Sequence, residues 1–337
     1  MIQVTLFTLP ALEEENRYLQ ELFTQFQETY SYQLTIVDVN QNAYLQKAYA
    51  QQLPRLEIGP FYLIGNITGE EIKTALDETG SRIAAAAQKN DTAAISQYSA
   101  PKKLTFGNLF TLWFSRHYLL LFNLLVFIYV GLPFLAPVLM KLDQPKTAQV
   151  IYRMYSSICH QLGYRSFFLF GEQAVYPREL AHVDGLIPYG LATGQSEEDL
   201  LAAKQYIGND TVGYKVALCQ RDIAIYLSIL LFGLFFGLFK RKTKPIPWYI
   251  WVIFGLLPIG LDGLSQLVGQ LGLAVFSWFP VRESTPFFRV LTGVLFGLFT
   301  AWLGYPTIEE TVRMTRERLE KKSALSAVLA LEKEPDP

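Results

Sequence analysis

Residues 118–140 read YLLLFNLLVFIYVGLPFLAPVLM, a run without Asp, Glu, Lys, Arg or His. As a helix rising about 1.5 Å per residue it covers the roughly 30 Å of a bilayer core. Three more apolar stretches of membrane length follow, at residues 223–239, 247 to about 273, and 287–303, the last two each with one charged residue, and none occurs before residue 105. The chain is therefore expected to have an all-α membrane domain of four transmembrane helices behind a polar N-terminal segment. The composition agrees. Of 337 residues, 51% are hydrophobic, 14% aromatic and only 18% charged, with net charge −1. The charged fraction is below the ~25% usual in soluble domains, and the mean hydropathy is +0.20. Disorder and tail-driven nucleic-acid binding are excluded by the same figures, and the lipid bilayer is the first expected partner. Two cysteines, Cys159 and Cys219, exclude a disulfide-rich scaffold and leave room for one bridge or part of a metal site.

Basic residues beside the spans set the expected orientation. Lys102, Lys103 and Arg116 precede the first span, Lys240, Arg241, Lys242 and Lys244 fill the turn between the second and third, and Arg313, Arg316, Arg318, Lys321 and Lys322 follow the fourth. By the positive-inside rule these groups share the cytoplasmic face, so both termini are expected inside. The connection 141–221 is too long, at about 80 residues, for its charges to count and falls outside by parity, as does 272–286. No basic segment followed by an apolar one opens the chain, so Met1 is expected to begin a folded segment and not a cleaved signal peptide. The expected location is a bacterial cytoplasmic (inner) membrane.

Residues 1–85 read as a compact α/β unit. VTLF at 4–7 and LTIVDV at 34–39 are buried strands, and Leu12, Leu19, Leu22, Phe23 and Phe26 share one helical face between them. A short helix at 43–51, strands at 55–58 and 61–64 around Gly59-Pro60, and a helix opened by Thr68-Gly69-Glu70-Glu71 complete the order βαβαββα. That order, with Leu53-Pro54 ahead of the third strand, resembles the thioredoxin fold of the glutaredoxin-like kind, in which a cis-proline stands there. The resemblance implies a Cys-x-x-Cys pair at the start of the first helix. Here those positions are Leu12 and Glu15, so thiol–disulfide exchange is not expected. The unit is then either a docking module for a partner or a domain kept for stability. Residues 86–116 are expected to form a linker, mobile or surface-bound over 90–103, with an interfacial stretch at 104–114. Residues 313–337 are expected to form a cytoplasmic charged tail.

Polar residues collect near the outer ends of the spans. Ser157-Ile158-Cys159-His160-Gln161 and Arg165-Ser166 lie in the outer connection, and Cys219-Gln220-Arg221-Asp222 opens the second span. Asp262-Gly263 and Gln266 stand in the outer half of the third, and Arg282-Glu283-Ser284-Thr285, Arg289 and Thr292 lead into the fourth. Ionisable groups at membrane depth cost about 2.5–3.5 kcal/mol each on insertion scales, so their convergence implies mutual pairing around a site. The candidates for chemistry are Asp262, Gln266, Arg282, Glu283 and Arg289; pairing of Asp262 with Arg282 or Arg289 for stability alone is the plainer reading.

These motifs resemble a bacterial and archaeal membrane family, domain of unknown function 2085. Its pattern runs Cys-His-Gln, Arg-Ser, Cys-x-Arg-Cys or Cys-x-Arg-Asp, Asp-Gly-x-x-Gln, then Arg-x-Ser-Thr with Arg and Thr-Gly after it. The match extends over about 151–303, with 171–216 as an insertion of open role. The resemblance implies no reaction. From the residues themselves, Cys159, His160, Cys219 and Asp222 form a donor set suited to Zn²⁺, although neighbouring Cys159 and His160 can share a metal only at a turn or helix end. A Cys159–Cys219 disulfide and two free thiols are the alternatives. His117 at the membrane edge reads as interfacial, and His182 in the insertion as a lone, weak ligand. Gly233, Gly237, Gly255, Gly260, Gly293 and Gly297 read as helix-packing contacts, the last two in small-x-x-x-small spacing.

Two functions lead: an integral membrane metalloprotein with an outward-facing polar site, and an accessory subunit of a larger membrane complex, in which the cysteines staple the outer face and the N-terminal unit docks a partner. A transporter needs an oligomer, since four spans show no inverted repeat. No nucleotide-binding, acyl-enzyme or haem motif is present.

Overall fold

A computed structural model describes residues 1–92, 95, 105–271 and 281–331. The chain forms two compact units, residues 1–116 with 313–337 and residues 117–312.

In the first unit, β1 (Ile2–Thr8) pairs in parallel with β2 (Tyr32–Asp38) and antiparallel with β3 (Arg55–Ile58), which pairs antiparallel with β4 (Phe61–Ile64). The strand order is β2-β1-β3-β4. Helix α1 (Glu13–Phe26) and α3 (Gly69–Gln88) cover one face, and α2 (Ala43–Tyr49) lies between β2 and β3 in the chain. Side chains on a strand alternate between faces, so Val4 and Leu6 pack with Leu19, Phe23, Ile72 and Leu76, while Phe7 packs with Val37, Leu45 and Tyr49. A capping box starts α3: Thr68 accepts from the Glu71 N–H, and the Glu71 carboxylate accepts from the Thr68 N–H. The Leu53–Pro54 peptide is cis.

The expected linker is helical at both of its described ends, and the expected tail is helical over its described residues. Residues 86–88 end α3, residues 106–116 belong to α4 (Phe106–Lys141), and most of 313–331 belongs to one helix with the fourth span. The stretch expected to be mobile or surface-bound, 90–103 with Lys102 and Lys103, falls mainly outside the described residues. The tail carries Lys321, Ala324 and Leu325 at helical spacing, which gives it one apolar stripe. That stripe joins the Phe7 side of the sheet, where Ala324 is buried and Lys321 Nζ donates to both Glu57 oxygens at 2.7 and 2.9 Å.

Among the described residues, four helices, lying wholly or partly in the second unit, are long and apolar enough to cross a membrane. They are α4; α8 (Gln220–Leu238); a run from α9 (Trp248–Ile250) through a π-helical Trp251–Leu256 into α10 (Leu257–Leu271); and α11 (Pro286–Leu331). Between α4 and α8 lie α5 (Pro145–Ser156), β5 (Ser166–Leu169), the short α6 (Tyr189–Thr193) and α7 (Leu200–Gln205), β6 (Gly208–Asn209) and β7 (Gly213–Cys219). The strands form a sheet of order β5-β7-β6, and Leu162, Tyr164, Phe168, Tyr176, Tyr189, Ala203 and Val212 give this region its own core. The 171–216 stretch is thus a folded cap. Glycine lets α8 and α11 approach: a Cβ on Gly293 would lie 2.7 Å from the Arg221 carbonyl oxygen, and one on Gly297 would collide with that of Ile225, one turn further along α8.

Candidate functional site: a thiol centre and an arginine-rich ion network

Helix α5 opens with Pro145 at its first turn and ends at Ser156. The tight turn that follows buries Cys159, whose N–H donates to the Tyr155 carbonyl at 2.9 Å, and leaves Ile158 and His160 exposed. Gln161 then takes a positive φ of 51°. Its side-chain amide donates to the Tyr152 carbonyl at 2.9 Å and to the Ala217 carbonyl at 2.8 Å, tying the turn to β7. Strand β7 runs straight into α8, so Cys219 ends the strand in register with Ser166 and caps the helix, and Asp222 stands in the helix's first turn.

These two local geometries bring Cys159, Cys219 and Asp222 together, with their ligand atoms all within 4.8 Å of one another. The Cys219 thiol donates to Asp222 Oδ2 at 3.0 Å, and the Gln161 N–H donates to Cys159 Sγ at 3.4 Å. Hydrogen bonding between the two thiols lowers Cys159 below the ordinary thiol range and raises Cys219. His160 is the correction to the expected ligand set. At a turn, successive side chains diverge, and His160 lines a neighbouring cavity instead of joining the thiols.

The expected polar cluster also assembles, around two buried carboxylates. Asp262 on α10 accepts from Arg221, from Arg282 at 3.1 Å and from the Ser284 hydroxyl at 2.7 Å. Arg282 also donates to Ser265 at 2.6 Å. Glu283 accepts from Arg289 and from Arg165 Nε at 3.0 Å, and Arg178 Nη1 stands 3.5 Å away. Asp262 thus takes Arg282 but not Arg289, which goes to Glu283 and to the Tyr164 carbonyl at 3.0 Å. Gln266 donates only along its own helix, to the Asp262 carbonyl at 2.9 Å. His182 is exposed on the cap and His117 begins the second unit's span.

Two participants carried no sequence signal. Arg178 lies in the stretch that reads as an insertion. Lys215 sits in an apolar strand, YKVAL, where a lysine reads as a solvent-facing residue, yet it is 1% exposed. Its Nζ donates to the Gln161 carbonyl at 2.9 Å and the Lys204 carbonyl at 2.5 Å, and burial pushes its ammonium down to about 7.

Four apolar helices with their ionisable groups turned inward define a polytopic membrane protein. Residues 211–303 match the family described as "Predicted membrane protein (DUF2085)", a segment that takes in Cys219, Asp222, Asp262, Glu283 and Arg289. The chain is also similar to an uncharacterized protein of Methanocaldococcus jannaschii, 24% identical over 206 residues that cover 59% of this chain and 96% of the relative. No solved structure matches the chain.

Proposed function

We propose that this membrane protein holds one zinc ion through Cys159, Cys219 and Asp222 on the outer face of its membrane unit, with both termini in the cytoplasm of a bacterial cell. The observation that carries this reading is the convergence of two thiols and a carboxylate, from a turn and a strand–helix junction, within 4.8 Å. Two sulfurs each about 2.3 Å from a tetrahedral Zn²⁺ lie roughly 3.8 Å apart, so the donor set fits such an ion in type and in spacing. Three protein ligands leave a fourth position, the pattern of zinc sites that do chemistry and not of closed structural ones. A metal held there supplies Lewis acidity to that fourth ligand. The chain's own contribution is positional: Gln161 fixes the Cys159 turn against β7, and the Cys219 cap aims Asp222 at the thiols.

The first unit's strand order and its parallel β1–β2 pair support a thioredoxin-like domain, in which Leu12 and Glu15 stand where that fold's thiols would be. Such a domain docks and does not exchange disulfides.

The second reading makes the cysteines a disulfide staple in an accessory subunit of a larger assembly, and the closeness of the two sulfurs favours it. Metal analysis of the purified full chain separates the two. The metal reading expects about one equivalent of zinc per chain and thiolate charge-transfer absorption on exchange with Co²⁺. Cys159→Ser removes both signals, and His160→Ala leaves both intact. A metal-free protein with its cysteines bridged, prepared without chelator, overturns the zinc site in favour of the staple.

A further inference from the structure

The Glu283 cluster contains more positive charge than its own pairing uses. Arg165, Arg178 and Arg289 converge on this one carboxylate, whose side chain is 1% exposed. Arg165 and Arg178 also flank one ring, their guanidinium carbons 5.7 and 5.3 Å from the centroid of Tyr164. A second carboxylate, Glu197, is 3.8 Å from Arg178 Nε and already accepts from the backbone N–H groups of Glu179 at 3.1 Å and Gly190 at 3.0 Å. Arg178 Nε is enclosed and has no hydrogen-bond acceptor. Beside it, Asp262 is likewise shared by two guanidiniums, those of Arg221 and Arg282.

Of the three arginines on Glu283, Arg289 is enclosed with it, whereas the side chains of Arg165 and Arg178 are 35% and 17% exposed and so remain open to a ligand. Arg165 and Arg178 both line a cavity of about 1050 Å³, with His160, His182 and three carboxylates, the paired Glu197 and the exposed Glu179 and Glu198. That volume is large for a bare inorganic ion and suits an organic molecule with a charged group. Forked N–H donors in pairs match the oxygens of a phosphate bidentately.

We propose that this cavity binds a phosphate monoester, its dianionic oxygens held between Arg165 and Arg178 and its organic part in the cavity. Arg289 and Glu283 lie behind the pair and hold the two forks in place. The phosphate is carried by either a soluble ester or a lipid headgroup, since both present the same group. The site is separate from the thiol centre and does not rest on the zinc reading.

The test uses the full chain in nanodiscs. One arm titrates glycerol 3-phosphate by calorimetry into protein held in phosphatidylcholine, with glycerol as control. The other measures retention of phosphatidic acid against phosphatidylcholine by native mass spectrometry. Saturable, salt-sensitive binding in the first arm identifies a soluble ester, and selective retention in the second a lipid headgroup. In either arm, Arg165→Gln and Arg178→Gln are expected to weaken binding about tenfold or more, the loss of a charge-assisted hydrogen bond. Both variants leave two arginines on Glu283, so the fold is retained, and Arg165→Lys, which keeps the charge without the fork, falls between. Cys159→Ser binds as the wild type does, which separates this site from the zinc site. No selective binding in either arm, or wild-type affinity in both glutamine variants, overturns the proposal.

Discussion

The two units solve the same burial problem with opposite residue types. In the first, Val4, Leu6 and Phe7 are fully buried at 0% exposure, and charge stays near the surface. In the second, Leu125 and Phe127 are 65% and 59% exposed while Asp262, Glu283 and Arg289 are 6%, 3% and 3% exposed. Water drives apolar groups inward in one unit; hydrocarbon accepts them outside in the other and leaves polar groups no partner except one another. Ion pairs should therefore decide the stability of the second unit and matter little in the first.

The largest effect is expected at Glu283. Replacing it with Leu leaves Arg165, Arg178 and Arg289 without the carboxylate they share, and breaking a buried pair in this way costs about 3–5 kcal/mol. Thermal unfolding of the purified protein in detergent should show a large fall in midpoint or a loss of folded material. Glu283→Gln, which keeps the shape and two acceptor lone pairs, should fall less. An unchanged midpoint for Glu283→Leu breaks the comparison, because the second unit would then be held by apolar packing as the first is.

A smaller effect is expected where α8 meets α11. A Cβ at Gly297 collides with the Ile225 carbonyl, and forcing side chains into a closed contact costs about 1–3 kcal/mol. Gly297→Val should lower the unfolding midpoint by less than Glu283→Leu does. Gly260→Ala should do little, since a Cβ there meets nothing within 4 Å. Equal behaviour of the two glycine variants would remove close helix approach from the account.

Much of this arrangement was legible in the residues because it follows from local rules. Long apolar runs with at most one charge gave the four spans; alternation and helical spacing gave the strands and helices of the first unit; and the cost of burying charge predicted that Asp262, Arg282, Glu283 and Arg289 would pair. What escaped was non-local. Which arginine meets which carboxylate depends on how α10, α11 and the cap come together, and neighbours in sequence do not encode it; so Arg289 turns to Glu283, and Arg178 arrives from a segment that read as an insertion. Lys215 escaped because a lone lysine in a strand looks the same whether the cap covers it or not. His160 misled for a local reason: next to a cysteine it suggested a shared metal, but the turn after α5 sends adjacent side chains apart.

The smallest effect is expected at Lys321, and it tests the other half of the comparison. Its ammonium is held by both Glu57 oxygens, so the geometry is as close as that of many pairs in the second unit. The surroundings differ, with the two side chains 34% and 22% exposed. Partly solvated pairs contribute about 0–1 kcal/mol, because water stabilises the separated ions nearly as well as the contact does. The ammonium also lies over the rings of Phe7 and Tyr49, 5.8 and 5.5 Å from their centroids, a cation–π contact that removal of the charge also loses. Lys321→Met should therefore cost up to about 1 kcal/mol through the lost ionic and cation–π contacts, and Lys321→Ala a little more, since it also loses the stem. Raising the salt should narrow the gap between wild type and Lys321→Met, since screening weakens only the ionic part. A cost for Lys321→Met as large as that of Glu283→Leu would mean that this pair is as desolvated as those of the membrane unit, and the contrast between the units would fail at the residue chosen to sharpen it.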